Sequence, residues 1–296
     1  MYKRVNDLRG GYKKKERFLR DDDGSLITTS EELAKKWGVY FEKLLNCEEP
    51  NEIFPFNKEI RKSQGCVEPT SEEIKSQIKI LKNNKSPGED DIQSELLKKG
   101  GEEMVFWIWK VIYEVWTTEK IPEEWKTAVI CPIHKKGSKQ GCNNYRGIAL
   151  LNVTYKIFSN CILSRIKEKS EQDISNYRCG FRPGRSTTDQ IFILRESLIN
   201  ILRGFHFEDK LIKLSEISIL ETYVKVRVGN IITNPILVKS GLRQGDAMSL
   251  ILFNIVIEKV IREMNITPQE GVKFQESCIG LLAYADDLVI MEESQD

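Results

Sequence analysis

Histidine is nearly absent from this sequence: His134 and His206 are the only two among 296 residues. The seven cysteines, at positions 47, 66, 131, 142, 161, 179 and 278, are odd in number and form no Cys-x-x-Cys pair. A zinc centre needs clustered thiolates and imidazoles, and a secreted scaffold needs paired cysteines, so both classes are excluded. The cysteines read as reduced, mostly buried small hydrophobes. Net charge is missing too, with 45 basic against 44 acidic side chains, so only local clusters can attract a charged partner. No apolar run reaches the roughly 18–20 residues of a bilayer helix, because the best stretch, 104–116, is interrupted by Lys110 and Glu114. Residues 1–20 are basic without the apolar centre of a signal peptide. These absences point to an intracellular protein of the nucleus and/or cytoplasm, neither secreted nor membrane-bound.

What is present is enough for a core: 40% of residues are hydrophobic and they are spread along the whole chain. Ser30 followed by Glu31, Glu32 and Leu33 opens a helix with Trp37, Tyr40, Phe41, Leu44 and Leu45 at helical spacing. Residues 50–64 read as a linker. A second helix starts at Thr70/Ser71 and runs to Asn83, before a turn at Ser86-Pro87-Gly88. Helical period returns over 92–97 and 102–118, where Trp107, Trp109, Tyr113 and Trp116 read as core aromatics. Residues 128–133 read as a strand followed by the polar loop 134–144. Helices are expected over 154–169, 186–202 and 209–220, then the alternating strand 223–228, a turn at Gly229-Asn230, a return strand at 236–238 and an apolar helix over 246–264.

The sharpest local feature is Tyr284-Ala285-Asp286-Asp287 between two apolar runs. A tight hairpin there holds both acids at its tip, where two neighbouring anions need a compensating cation. Oxygen ligands favour Mg²⁺ or Mn²⁺, and a pair of such ions suits in-line phosphoryl transfer. A metal-dependent phosphohydrolase using the same carboxylates finds no supporting histidines or further acidic clusters.

Three more ordered motifs accompany it: Cys142 to Asn152, containing Asn143-Asn144-Tyr145-Arg146-Gly147; Gly180-Phe181-Arg182-Pro183-Gly184-Arg185-Ser186; and Ser240-Gly241-Leu242-Arg243-Gln244-Gly245-Asp246, followed by Leu252-Phe253-Asn254. Together, over residues 121–291, they resemble the reverse transcriptases of non-LTR (LINE-type) retrotransposons. The resemblance implies an α+β polymerase right hand: a helical region over 1–120, a fingers-like part over 121–200, and over 201–296 a partial palm with motif B and the Tyr-Ala-Asp-Asp hairpin. It implies an RNA template, a DNA primer, deoxynucleoside triphosphates and Mg²⁺ or Mn²⁺ as partners. Asp286 and Asp287 take the catalytic and metal-binding places. Lys135, Lys136, Arg146, Gln244 and Gly245 take nucleotide-binding places, and Arg182, Gly184, Arg185 and Tyr284 face nucleic acid. The cations suit phosphates, and Gly184-Arg185 opening a helix suits a template phosphate. The Gly241–Gly245 turn precedes a helix start at Asp246.

Two features depart from the family. Leu250 stands where proline follows the serine of motif B. The palm's third carboxylate, from an apolar strand ahead of residue 223, has no counterpart; the sequence passes near 197–201 straight from one flanking segment to the other, and Asp209 lacks the surrounding pattern. The primer grip, the thumb and an endonuclease-like region are expected to be missing, since the resemblance covers residues 121–291 alone. The expectation is therefore a polymerase domain impaired in catalysis, with a non-catalytic nucleic-acid-binding remnant or an unstable fragment as alternatives.

Overall fold

The computed structural model describes residues 18–46, 66–173, 195–239, 241–263, 271–274, 277–284 and 287–291. Helices and a mixed sheet give an α+β architecture. Short strands β1 (Leu19–Arg20) and β2 (Leu26–Ile27) precede α1 (Ser30–Leu45). Thr29 caps α1, its hydroxyl accepting from Glu32 N (3.3 Å) and donating to Glu32 Oε2 (2.8 Å), which fixes where the helix begins. Next come α2 (Ser71–Ile80), α3 (Ser94–Lys99), α4 (Gly101–Thr118) and the single turn α5 (Glu123–Lys126). The second helix ends at Ile80 instead of Asn83, and the third is shifted to Ser94–Lys99 behind the Asp90-Asp91 turn. The expected linker over 50–64 lies outside the described residues, as does the part of the expected 186–202 helix before Arg195.

One five-stranded sheet organises the middle of the chain. β3 (Thr127–His134) pairs antiparallel with β4 (Tyr145–Leu150) and parallel with β5 (Thr222–Val228). The far edge of β5 takes the short β6 (Ile231–Ile232) and then β7 (Ile236–Val238), both antiparallel. Thr233 bridges the break between them, its N donating to Val226 O (3.0 Å) and its Oγ1 accepting from Val226 N (2.9 Å). Alternation decides which way β5 faces: Thr222, Val224 and Val226 are buried, while Tyr223, Lys225 and Arg227 are half-buried on the other side. The sheet thus joins strands from both sides of residue 200.

Helix α1 covers the inner face. Trp37 stands edge-on to Tyr145 at 5.0 Å, and Phe41 packs so closely over Gly147 that a Cβ there would meet Phe41 Cε1 at 2.5 Å. The long α6 (Val153–Asp173) runs through the main core, with Tyr155, Ile157, Phe158, Cys161 and Ile162 fully buried. Around it stand α2, α8 (Asp209–Ile219) and α9 (Ala247–Glu263); α7 (Arg195–Gly204) packs on α8 and α9. Arg165 of α6 clamps the helical layer, giving two hydrogen bonds to Glu73 (2.9 and 3.0 Å) while its guanidinium lies 4.8 Å over the Trp116 ring. The expectation that the α4 aromatics are core holds for Trp116, at 1% exposure, but is corrected for Trp107 and Tyr113, at 53% and 38%. Buried positions Val105, Ile108, Ile112, Val115 and Trp116 already fill the inward stripe of the helix, and Trp107 and Tyr113 fall outside its arc. Four short strands follow α9: β8 (Val272–Phe274), β9 (Ser277–Ile279), β10 (Leu281–Tyr284) and β11 (Asp287–Ile290). No helix among the described residues is long and apolar enough to cross a membrane.

Candidate nucleic-acid interface

The loop joining β3 to β4 is held at several points. Lys135 N donates to Asn144 O (2.7 Å), Asn144 Nδ2 to Ser138 O (2.8 Å), and the Tyr145 hydroxyl to Lys139 O (2.8 Å). Arg20 of β1 adds a backbone bond to Gln140 O (2.9 Å). Lys135 and Lys136 project from this loop as exposed side chains. Arg146 is half-buried one residue into β4, opposite Ile133 in the ladder, on the outer face away from α1.

The Gly241–Gly245 turn seals the other edge of β4. Ala149 N donates to Gln244 O (2.8 Å), and Gly245, at φ +119°, lies so close that a Cβ would sit 2.8 Å from Ala149 O. Only glycine permits that approach and that backbone angle. Gln244 lines a narrow cleft between α1 and the sheet, with Phe41, Gly147, Val238 and Leu242, and its Oε1 has no hydrogen-bond partner among the described residues. Of the five residues assigned to nucleotide binding, Lys135, Lys136 and Arg146 lie about the start of β4, and Gln244 and Gly245 lie against its other end at Ala149; Arg146 faces outward, whereas the Gln244 side chain enters the cleft on the α1 side.

A buried ionic hub holds this turn. Asp246 accepts from the Tyr155 hydroxyl (2.6 Å), Ser159 Oγ (2.5 Å), Met248 N (3.2 Å) and Arg243 Nη2 (3.2 Å). Arg243 also donates to Ser218 O (3.0 Å) and Trp125 O (3.3 Å), and lies 4.5 Å over the Tyr155 ring. Burial pushes the Tyr155 phenol far above its ordinary value, which keeps it a donor. Sequence reasoning saw Asp246 only as a helix cap. The available signal was Arg243-x-x-Asp246 beside an apolar helix, with Tyr155 and Ser159 one turn apart on α6.

The acidic hairpin is formed as its sequence suggests. β10 and β11 pair antiparallel from Leu281↔Ile290 to Tyr284↔Asp287. Asp286 lies outside the described residues, as do Arg182, Gly184 and Arg185; for Tyr284 and Asp287 the backbone position is what is described. Among the described residues this hairpin is a sheet of two strands, and no group of three metal-ligating side chains occurs. Asp209 is exposed in the first turn of α8.

The helices, the mixed sheet and the paired strands β10 and β11 give the chain an α+β class. The family model described as reverse transcriptase (RNA-dependent DNA polymerase) matches residues 133–296, more than half of the chain. The chain belongs to that family. It is 22% identical to the Xenopus laevis "Transposon TX1 uncharacterized 149 kDa protein", over 96% of this chain and 24% of that protein. It is 24% identical to the "Probable RNA-directed DNA polymerase from transposon BS" of Drosophila melanogaster, over 75% of this chain and 28% of that protein. Over 33% of the chain it is 33% identical to 16% of the "Retrovirus-related Pol polyprotein from type-1 retrotransposable element R2" of Popillia japonica. The chain thus spans about a quarter or less of the length of most of these relatives.

Proposed function

We propose that the chain is an RNA-directed DNA polymerase domain of a non-LTR retrotransposon that retains its fingers and has lost nucleotidyl transfer. The observation that supports the fingers most is the cationic cluster about the start of β4, where the exposed Lys135 and Lys136 of the held loop stand near Arg146. The cations would take the β- and γ-phosphates of a deoxynucleoside triphosphate. The glycine-lined turn would let a template–nucleotide pair lie against backbone. Arg182, Gly184, Arg185 and Tyr284 would meet the RNA template and DNA primer. In this reading residues 1–120 are a helical lead-in, 121–200 the fingers-like part and 201–296 an incomplete palm of a polymerase right hand.

Asp286 and Asp287 would hold Mg²⁺ or Mn²⁺, which supplies charge neutralisation for in-line transfer when bound. The donor set fits only in part. A two-metal centre draws carboxylates from two strands, whereas Asp286 and Asp287 are neighbours in the sequence of one hairpin, with no second acidic strand beside it among the described residues. Phosphoryl transfer depends on positioning and charge stabilisation, so one missing bridging ligand should reduce the rate on the order of 10³-fold.

Purified protein tests both halves. RNA binding is expected with a dissociation constant on the order of micromolar at low salt, falling steeply as salt rises. Binding unchanged in Lys135→Ala/Arg146→Ala refutes the fingers assignment. Primer extension on an RNA template, with Mg²⁺ or Mn²⁺, is expected to equal that of Asp286→Ala, and extension clearly above that variant refutes the loss of catalysis.

A further inference from the structure

The outer face of the sheet collects positive charge. Lys225 and Arg227 stand two residues apart on β5, and Arg146 lies on the same face two strands away; the ladder partners Lys225↔Val129 and Val129↔Leu150 fix that common side. The segment between α2 and α3 lies over one end of this face. Its seat is tight: a Cβ on Gly88 would come within 2.3 Å of Asn152 Oδ1 and 2.6 Å of Asn152 N. Its ends are fixed as well. Asn84, in the left-handed region at φ 57°, donates its N–H to Glu95 Oε1 (2.5 Å), Lys98 holds Asn83 Oδ1 (2.8 Å), and Ile92 N donates to Asp90 Oδ1 (3.1 Å).

From that seat Glu89 forms an ion pair with Lys225 Nζ, both side chains remaining partly open to solvent. Asp90 carries the loop's second carboxylate, and Lys156 of α6 attracts it weakly. Burial raises the Asp90 carboxyl and lowers the Lys156 ammonium, while their mutual attraction opposes both shifts. One carboxylate of the loop thus lies on a cation of the sheet face that the loop covers. Cations on a sheet face, aligned toward the Lys135–Arg146 corner, suit the phosphates of a strand.

We propose that Glu89 occupies, on Lys225, the place of a nucleic-acid phosphate, so that the Gly88–Asp91 loop competes with a single strand crossing the outer face of the sheet. This rests on the fingers reading above and adds the path of the strand beyond Arg146, over Arg227 to Lys225. A partly exposed ion pair is weak enough to be exchanged for a phosphate.

The test is anisotropy of a labelled oligouridylate RNA titrated with the full chain across a salt series. Glu89→Gln should raise affinity several-fold at low salt and steepen the salt dependence by about one phosphate contact. Asp91→Asn removes the same charge from an exposed position two residues away that makes no ion pair among the described residues, and should give a smaller gain. In a Lys225→Met background the gain from Glu89→Gln should vanish, with thermal midpoints confirming that each variant is folded. Equal gains in Glu89→Gln and Asp91→Asn overturn the proposal, as does a gain that persists without Lys225 or the absence of any gain. RNA binding that is undetectable, or indifferent to Arg146→Ala, instead overturns the fingers reading, and this proposal with it.

Discussion

A carboxylate at 7% exposure is costly to bury unless cations and donors fill its lone pairs. Asp246 meets that demand with Arg243, two hydroxyls from α6 and a backbone amide. Asp246→Ala would leave Arg243 as an uncompensated buried charge, and urea unfolding should show a loss of about 3–5 kcal/mol. Tyr155→Phe, which removes one donor, should cost about 1–2 kcal/mol. A smaller loss in Asp246→Ala than in Tyr155→Phe would show that the hub is not ionic. Asp90 gives a pH signature. Burial raises its carboxyl above the ordinary 3.8, so the folded state binds a proton more tightly than the unfolded one. The ionised group is therefore a cost at neutral pH, and the cost disappears as the pH falls through the raised folded value to below the ordinary one. Asp90→Asn should stabilise at about pH 7, and its gain should fade toward about pH 3. A gain equal at both pH values would exclude titration of Asp90 as its source.

Among the elements, α1 and α4 show what a helical pattern can and cannot reveal. The Ser30-Glu31-Glu32 start and the Trp37, Phe41 spacing made α1 legible, yet nothing in that pattern named Thr29 as the cap or Gly147 as the floor on which Phe41 rests. Close packing between segments over a hundred residues apart leaves no local signal. Gly147→Ala should cost about 1–3 kcal/mol by overpacking, and Phe41→Leu should relieve part of it; additive losses in the double variant would contradict the contact. In α4 the number of aromatics misled, because one inward stripe cannot hold them all. Trp116→Ala should cost about 3–5 kcal/mol, whereas Trp107→Gln should shift stability by no more than about 0.5 kcal/mol. Comparable losses at the two positions would mean that Trp107 is covered in solution.

For the molecule as a whole, the motifs declared the family, while the sheet that unites them was hidden. Parallel pairing of β3 with β5 joins segments some ninety residues apart, and hydrophobic alternation shows that each is a strand without showing its neighbour. The acidic hairpin was legible because both of its strands and its tip are contiguous. Its relation to the rest is the remaining question of scale. The hydrophobic core runs from Leu19 to Val256, and among the described residues β8 pairs only with β9 and β10 only with β11. Lys135, Arg146, Lys225 and Gln244 all precede that segment. A chain shortened to Glu263 should therefore unfold with nearly the same thermal midpoint and bind RNA with nearly the same affinity as the full chain. Calorimetry and anisotropy measured side by side decide this. A midpoint lowered by more than about 4 °C, roughly 1–2 kcal/mol for a domain of this size, would show that the hairpins brace the core. The palm remnant and the sheet would then be one folding unit rather than a binding module with an appended hairpin.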